Sequence, residues 1–185
     1  MDKNVSKQPD KPFELDLKKI RAQARENMKD GAVTKANTTD VSRVVKVLNE
    51  ALATELVCVA RYKAHYYAAQ GPRGRVVAEE FLAHANEEQS HADLIAERLD
   101  QLGGPINLDP EGQVARSHTE YSPGSSDLKA MLIENLVAER VAIETYTEII
   151  RWLGDHDVTT RRLMEDILAK EEEHADDLSK LLEGT

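Results

Sequence analysis

The chain has 185 residues, of which 41% are apolar, 31% charged and 4% aromatic, which fits one compact domain with a tail and excludes wholesale disorder and an aromatic-rich β-sandwich. A net charge of -10 sets the body of the protein against nucleic acid and anionic membrane. The single cysteine, Cys58, excludes an intrachain disulfide and a four-cysteine metal module, and with no long apolar run and no signal-peptide core at the start, a cytoplasmic protein that does not enter the membrane is expected.

Residues 1–40 carry nine basic and seven acidic side chains, a mildly basic arm ahead of an acidic body. Within the arm, Phe13, Leu17, Ile20 and Ala24 predict a short amphipathic helix before Gly31. Four long segments follow, at roughly 41–70, 73–102, 127–153 and 157–182, each low in Gly and Pro and long enough for a helix of about 40 Å. Asp40, Asp127 and Asp157 are the expected N-caps of the first, third and fourth. Gly71, Pro72 and Gly74 mark the first break, and Gly154 with Asp155 the last; both are short enough to force antiparallel neighbours. The middle break, 103–126, could stretch to about 80 Å and can therefore cross a bundle lengthwise. The expected architecture is all-α, a four-helix bundle over 41–185 with a long crossover between its second and third helices.

Each long segment has an apolar stripe at intervals of three and four, and each stripe contains acids. Val45, Leu48, Leu52, Val59, Tyr62 and Tyr66 flank Glu55; Leu132, Leu136, Ile143, Tyr146 and Ile150 flank Glu139. In the other two, Phe81, His84, Glu88, His91 and Ile95, and Met164, Ile167, Glu171, His174 and Leu178, share a face. An offset of 84 residues lays Leu52, Glu55, Val59 and Tyr62 on Leu136, Glu139, Ile143 and Tyr146; an offset of 83 lays Glu88 and His91 on Glu171 and His174. One hairpin is present twice.

An ionised carboxylate is rarely buried without a cation, and no lysine or arginine occupies the matching stripe positions of the first, third and fourth segments. Four carboxylates and two neutral imidazoles would be balanced by two divalent ions. A Glu from each of two helices and Glu-x-x-His from each of the other two is a di-iron or di-manganese ligand set, with residues at i and i+3 on one helix face. A lone Glu-x-x-His match means little in a Glu-rich helical chain, and the run Glu171, Glu172, Glu173 alone reads as a solvated face; two matches in duplicated register with two inward acids decide for metal. His84 reads as an ancillary ligand, a gate or, more commonly, a satisfied core histidine; Tyr62 and Tyr146 both read first as core aromatics with a hydrogen-bonded hydroxyl, with Tyr62, and on a weaker argument Glu87, as the alternative supports for ligands, and Cys58 reads as a small buried hydrophobe.

The stretches NEALATELVCVARY, NEEQSHAD, NLVAERVAIETY and KEEEHADDL resemble the ligand-bearing helices of the bacterioferritin and Dps-like branch of the ferritin superfamily, over roughly residues 41–182. The resemblance implies a ferroxidase that oxidises Fe(II) with O2 or H2O2 and stores ferric iron in a hollow homo-oligomeric cage. It places two Fe per subunit at Glu55, Glu88, His91, Glu139, Glu171 and His174, and puts Tyr62 beside them. Gln89 stands where the haem-ligating methionine of bacterioferritin would follow Glu88, so no haem is expected. The ending at Gly184 and Thr185, with no fifth helix, resembles cages of about twelve subunits, with about twenty-four as the alternative. Two other readings use the same residues: a manganese catalase or peroxidase, and a DNA-associating structural cage in which Lys3, Lys7 and Lys11 touch DNA, although the interleaved acids make a weak electrostatic footprint.

Overall fold

The computed structural model describes residues 13–69 and 71–184, the side chain of Arg73 excepted; Lys3, Lys7 and Lys11 lie outside the described residues. The described residues contain helices and no strand: α1 (Leu17–Gln23), a 3-10 turn at Met28–Asp30, α2 (Val41–Ala68), α3 (Gly71–Gln101), α4 (Gln113–Arg116), α5 (Leu128–Leu153) and α6 (Val158–Glu183). Among the described residues no helix is long and apolar enough to cross a membrane. α2 packs chiefly on α3 and α5 on α6, so two helical hairpins face each other in a four-helix bundle.

Local chemistry sets the helix starts. The carboxylates of Asp40, Asp127 and Asp157 accept from the backbone N–H of Arg43, Ala130 and Thr160 at 3.3, 3.0 and 3.0 Å, each satisfying a donor that the first helical turn leaves free. The sequence break at 71–74 is only partly a break, because α3 already begins at Gly71. Gly71 takes a φ of +78° that suits it to the turn, and Pro72 is tolerated in the first turn because its missing N–H would have had no helical partner there.

The arm holds the expected short helix ahead of Gly31, with its apolar face open in the single chain. α1 is only seven residues long and buries nothing, and Phe13, Leu17 and Ile20 are 87%, 50% and 45% exposed. The arm meets the bundle further on, where Val33 packs on the core, the Thr38 N–H donates to the His156 carbonyl at 3.1 Å and the Thr38 hydroxyl lies 2.7 Å from His156 Nδ1.

The middle segment runs along α2. Asn49 holds it twice, donating to the Pro105 carbonyl at 2.9 Å and accepting from the Asn107 N–H at 2.8 Å. Further along, the His118 N–H donates to Thr54 Oγ1 at 2.9 Å, Arg61 donates to the Glu120 carbonyl at 2.9 Å, and His65 Nε2 lies 3.2 Å from the Pro123 carbonyl. From Asn49 to His65 these rungs span about 24 Å at the helical rise, so the segment joins opposite ends of the bundle as its length allowed. Its last rung needs a glycine: a Cβ on Gly124 would lie 2.6 Å from the Ala64 carbonyl oxygen and 2.6 Å from the Ala68 Cβ. Gly124→Ala is therefore expected to push the crossover off α2 and destabilise the fold by about 1–3 kcal/mol in chemical denaturation; an unchanged midpoint would show the approach to be slack.

Two apolar clusters fill the bundle. One, with Val44, Leu48, Leu52, Ile95, Leu99, Tyr146, Leu153, Met164 and Ile167, draws on the N-terminal part of α2 and the C-terminal part of α3. The other, with Tyr62, Val77, Phe81, Ala85, Met131, Leu132 and Leu178, draws on their opposite halves. The inward acids on α2 and α3 lie between the two groups in sequence, so the bundle has a polar middle with an apolar plug on either side.

Candidate metal centre

Helical periodicity brings all six residues singled out from the sequence to that middle. Glu55 comes from α2, Glu88 and His91 from α3, Glu139 from α5, and Glu171 and His174 from α6, and none is more than 5% exposed. Their ligand atoms form two overlapping groups. Glu55, Glu88, His91 and Glu171 make one and Glu88, Glu139, Glu171 and His174 the other, with the atoms of each group within 4.8 Å of one another. Glu88 and Glu171 belong to both. Each Glu-x-x-His pair falls whole within one group, Glu88 with His91 and Glu171 with His174, and the geometry in addition makes Glu88 and Glu171 common to both, with Glu55 beside His91 and Glu139 beside His174 at the two ends.

His91 Nδ1 lies 3.0 Å from Glu171, 3.3 Å from Glu55 and 3.5 Å from Glu88, and His174 Nδ1 is 3.5 Å from both Glu88 and Glu171. These approaches are close but are not aligned as hydrogen bonds. Glu55 Oε2, Glu88 Oε1, His91 Nδ1, Glu139 Oε2, both carboxylate oxygens of Glu171 and His174 Nδ1 are buried with no hydrogen-bond partner. Unpaired buried polar atoms cost about 1–3 kcal/mol each, and seven converging on one point is the signature of a place built for something else. Two divalent cations, one in each group, would give every one of them a partner. The donor set, carboxylate oxygens with one imidazole per end, suits iron or manganese.

Protons stand in where cations would otherwise balance the charge. Burial, reinforced by the neighbouring Glu88 carboxylate, pushes Glu55 up to about 8, and burial together with Glu88 and Glu171 raises Glu139 well above the carboxylate range. Burial alone would lower both histidines, but the facing carboxylates outweigh it, holding His91 at about 12 and His174 at about 11.

The carboxylates at the two ends are each tied by a tyrosine from the opposite hairpin. The Tyr62 hydroxyl on α2 donates to Glu139, and the Tyr146 hydroxyl on α5 donates to Glu55. Tyr62 is thus a support for a carboxylate, as the sequence allowed. Tyr146, read there as a core aromatic, plays the same part, and the signal that could have found it was the duplication that superposes the two. Both hydroxyls are raised well above their ordinary value, chiefly by burial and then by the nearby carboxylates, so they remain donors. Removing either hydroxyl frees a carboxylate to swing: Tyr62→Phe and Tyr146→Phe are each expected to slow any metal-dependent oxidation roughly 10–100-fold with the helical spectrum unchanged, and equal rates would make the pairs ornamental.

Other buried polar groups flank the centre. Glu87 Oε2 lies 2.6 Å from His174 Nε2 and so orients that ring. His84 stacks on His174 with ring centroids 4.0 Å apart and lies 3.1 Å, through Nδ1, from the Tyr62 hydroxyl. Arg61, which the stripe reading did not foresee as buried, donates to Asn135 Oδ1 at 3.0 Å, to the Glu120 carbonyl and to Cys58 Sγ at 3.2 Å; it pairs with none of the six. Cys58 is buried as a small side chain, with its thiol raised by burial despite Arg61.

The family model of the ferritin-like domain matches residues 45–185. The bacterioferritin of Mycobacterium avium is 31% identical over 140 residues, which cover 76% of this chain and 84% of that protein. The DNA protection during starvation protein of Pyrococcus furiosus is 29% identical over 147 residues, covering 78% and 80%. Among solved structures, the bacterioferritin-related protein of Bacteroides fragilis, described as a dodecameric thioferritin, superposes with a TM-score of 0.76 at 36% identity over 80% of this chain and 88% of its own.

Proposed function

This chain belongs to the ferritin-like family, in its bacterioferritin and Dps-like branch, and from that premise we propose that it is a ferroxidase storing iron in a homo-oligomeric cage. The observation that carries this reading is the set of seven unpartnered buried ligand atoms in two groups that share Glu88 and Glu171. In the proposed reaction Fe(II) is the substrate, two ions per chain. Glu88 and Glu171 hold the two ions side by side, His91 with Glu55 caps one, and His174 with Glu139 caps the other. Adjacent one-electron donors match a two-electron oxidant: two Fe(II) become two Fe(III) while O2 with two protons becomes H2O2, or H2O2 with two protons becomes two waters. Tyr62 and Tyr146 hold the capping carboxylates in place, and Glu87 holds the His174 ring. The apolar clusters on either side restrict water, which strengthens the attraction of the carboxylates for the cations.

The arm, 1–40, and the bundle, 41–185, are proposed as separate functional parts, with a cytoplasmic location. The exposed Phe13, Leu15, Leu17 and Ile20 of the arm fit contacts between subunits, and the dodecameric Bacteroides fragilis relative supports a cage of that size. Anaerobic Fe(II) titration followed by separate addition of O2 and H2O2 tests the reading. Two tightly bound ions per chain and oxidation within seconds by one oxidant are expected. Saturation at one ion would end the dinuclear proposal, and rapid peroxide disproportionation with manganese alone would favour the catalase reading.

A further inference from the structure

One cluster of potential ligands lies outside the six-residue centre yet touches it. Glu80 and His84 on α3 and Asp177 on α6 bring ligand atoms within 4.8 Å of one another. The three differ from the buried set in their access to water: the side chains of Glu80 and Asp177 are 36% and 46% exposed, while that of His84 is 3% exposed. His84 points both ways. Its Nε2 lies 3.2 Å from Glu80 and its Nδ1 lies 3.1 Å from the Tyr62 hydroxyl, which itself bonds Glu139.

We propose that Glu80, His84 and Asp177 form a third cation site, a staging post from which Fe(II) enters the buried centre. The argument rests on shared ligands. His84 also belongs to a second cluster with Glu139 and His174, and those two belong to the inner group with Glu88 and Glu171. Three clusters in a row thus each share at least one ligand with the next, so a cation moving inward can exchange ligands one at a time and never sheds all its partners inside the protein. A bare divalent ion in a low-dielectric interior would be prohibitively costly, which is why the continuity matters.

A plain surface ion pair is a poorer account of the three residues. Among the described residues no arginine pairs with Glu80 or Asp177, and Lys180 approaches Asp177 only at 3.8 Å while bonding Asp176. Two carboxylates therefore face one buried imidazole, their repulsion offset only in part by Lys180 beside Asp177 and by His174, and the Asp177 charge remains one cause, after burial, of the upward shift of Glu80. Oxygen ligands with one imidazole suit a weakly held Fe(II) that must be released again.

The site rests on the ferroxidase reading, and the test separates the two. Co(II) is titrated calorimetrically into the assembled, metal-free protein, and crystals soaked in Co(II) are measured for anomalous scattering. About three ions per chain are expected in the wild type, the weakest between Glu80, His84 and Asp177. Glu80→Gln with Asp177→Asn, isosteric changes at half-exposed positions, is expected to keep the two inner ions with affinities within about twofold. It should lose the third and slow Fe(II) oxidation roughly tenfold at sub-saturating iron, because the local attraction for the cation has gone. Glu79→Gln, on the exposed face of the same helix, should keep all of them. Only two ions in the wild type, a third retained in the double variant, or equal loss in Glu79→Gln would each overturn the staging site while leaving the inner centre standing. A wild type that binds no Co(II) at the inner groups would overturn both.

Discussion

Glu55→Ala combined with Glu139→Ala is expected to lower the rate of Fe(II) oxidation by more than about 100-fold, because each end of the centre loses its capping carboxylate and losses of mere supports already reach that range. The same change strands the Tyr62 and Tyr146 hydroxyls, at about 1–3 kcal/mol each, so the alanine variant alone mixes two effects. Glu55→Gln with Glu139→Gln separates them. A glutamine carbonyl accepts from each tyrosine as the acid does, and burial favours the neutral form of both acids in the metal-free protein, which glutamine mimics. The glutamine variant should therefore oxidise iron as poorly as the alanine one and unfold near the wild-type midpoint.

The pH dependence carries a second reading of the same pair. Glu55 moves from 4.5 to about 8 on folding, so between those values the folded metal-free chain binds more protons than the unfolded chain and loses stability as pH rises. Urea denaturation of the wild type against Glu55→Gln should show the difference widening from pH 5 to 8 in the variant's favour. Oxidation that persists in either double variant would remove the dinuclear centre from the mechanism.

Asp157→Ala is expected to produce the largest loss of stability from a single change away from the centre. Asp157 is 3% exposed and caps α6 through the Thr160 N–H; it also accepts from Thr160 Oγ1 at 2.6 Å and from Arg98 Nη2 at 3.1 Å. Arg98, itself 7% exposed, would be left as a buried cation holding only Thr160 and Gln101. Breaking one side of such a pair costs about 3–5 kcal/mol, with the lost cap included at its upper end. Arg98→Met with Asp157→Asn should recover most of it, since asparagine caps nearly as well and the stranded charge is gone. Burial would raise the Asp157 carboxyl, but hydrogen bonds from Thr160 and the charge of Arg98 hold it below its ordinary 3.8. Its contribution is thus present above that value and fades as pH falls through the lowered one. Equal midpoints for wild type and Asp157→Ala at neutral pH would show the pair to be idle.

Both sites show how far a sequence can be read. The three Asp caps were legible because a cap is a local event: a carboxylate and an N–H three residues on are fixed by one turn of chain. The inward acids were legible for a related reason, since the period of 3.6 residues fixes which side chains share a face, and the repeat of Glu55 and Tyr62 at Glu139 and Tyr146 showed it twice. The packing of the arm was not legible. An apolar spacing at Phe13, Leu17 and Ile20 says that a face exists and nothing of what meets it, and in the single chain that face is open.

What the sequence by itself determined was therefore the all-α bundle, its helix starts, its long crossover and the six residues turned toward its axis, because each depends on spacing along one chain. Only the tertiary structure decided that Glu88 and Glu171 are the shared pair, that each tyrosine crosses to the carboxylate of the other hairpin, that Arg61 is buried yet turned from the acids, and that His84 joins an outer cluster to the inner one. Those facts depend on the rotation and axial offset of one helix against another, which packing over the whole bundle sets and no local spacing encodes.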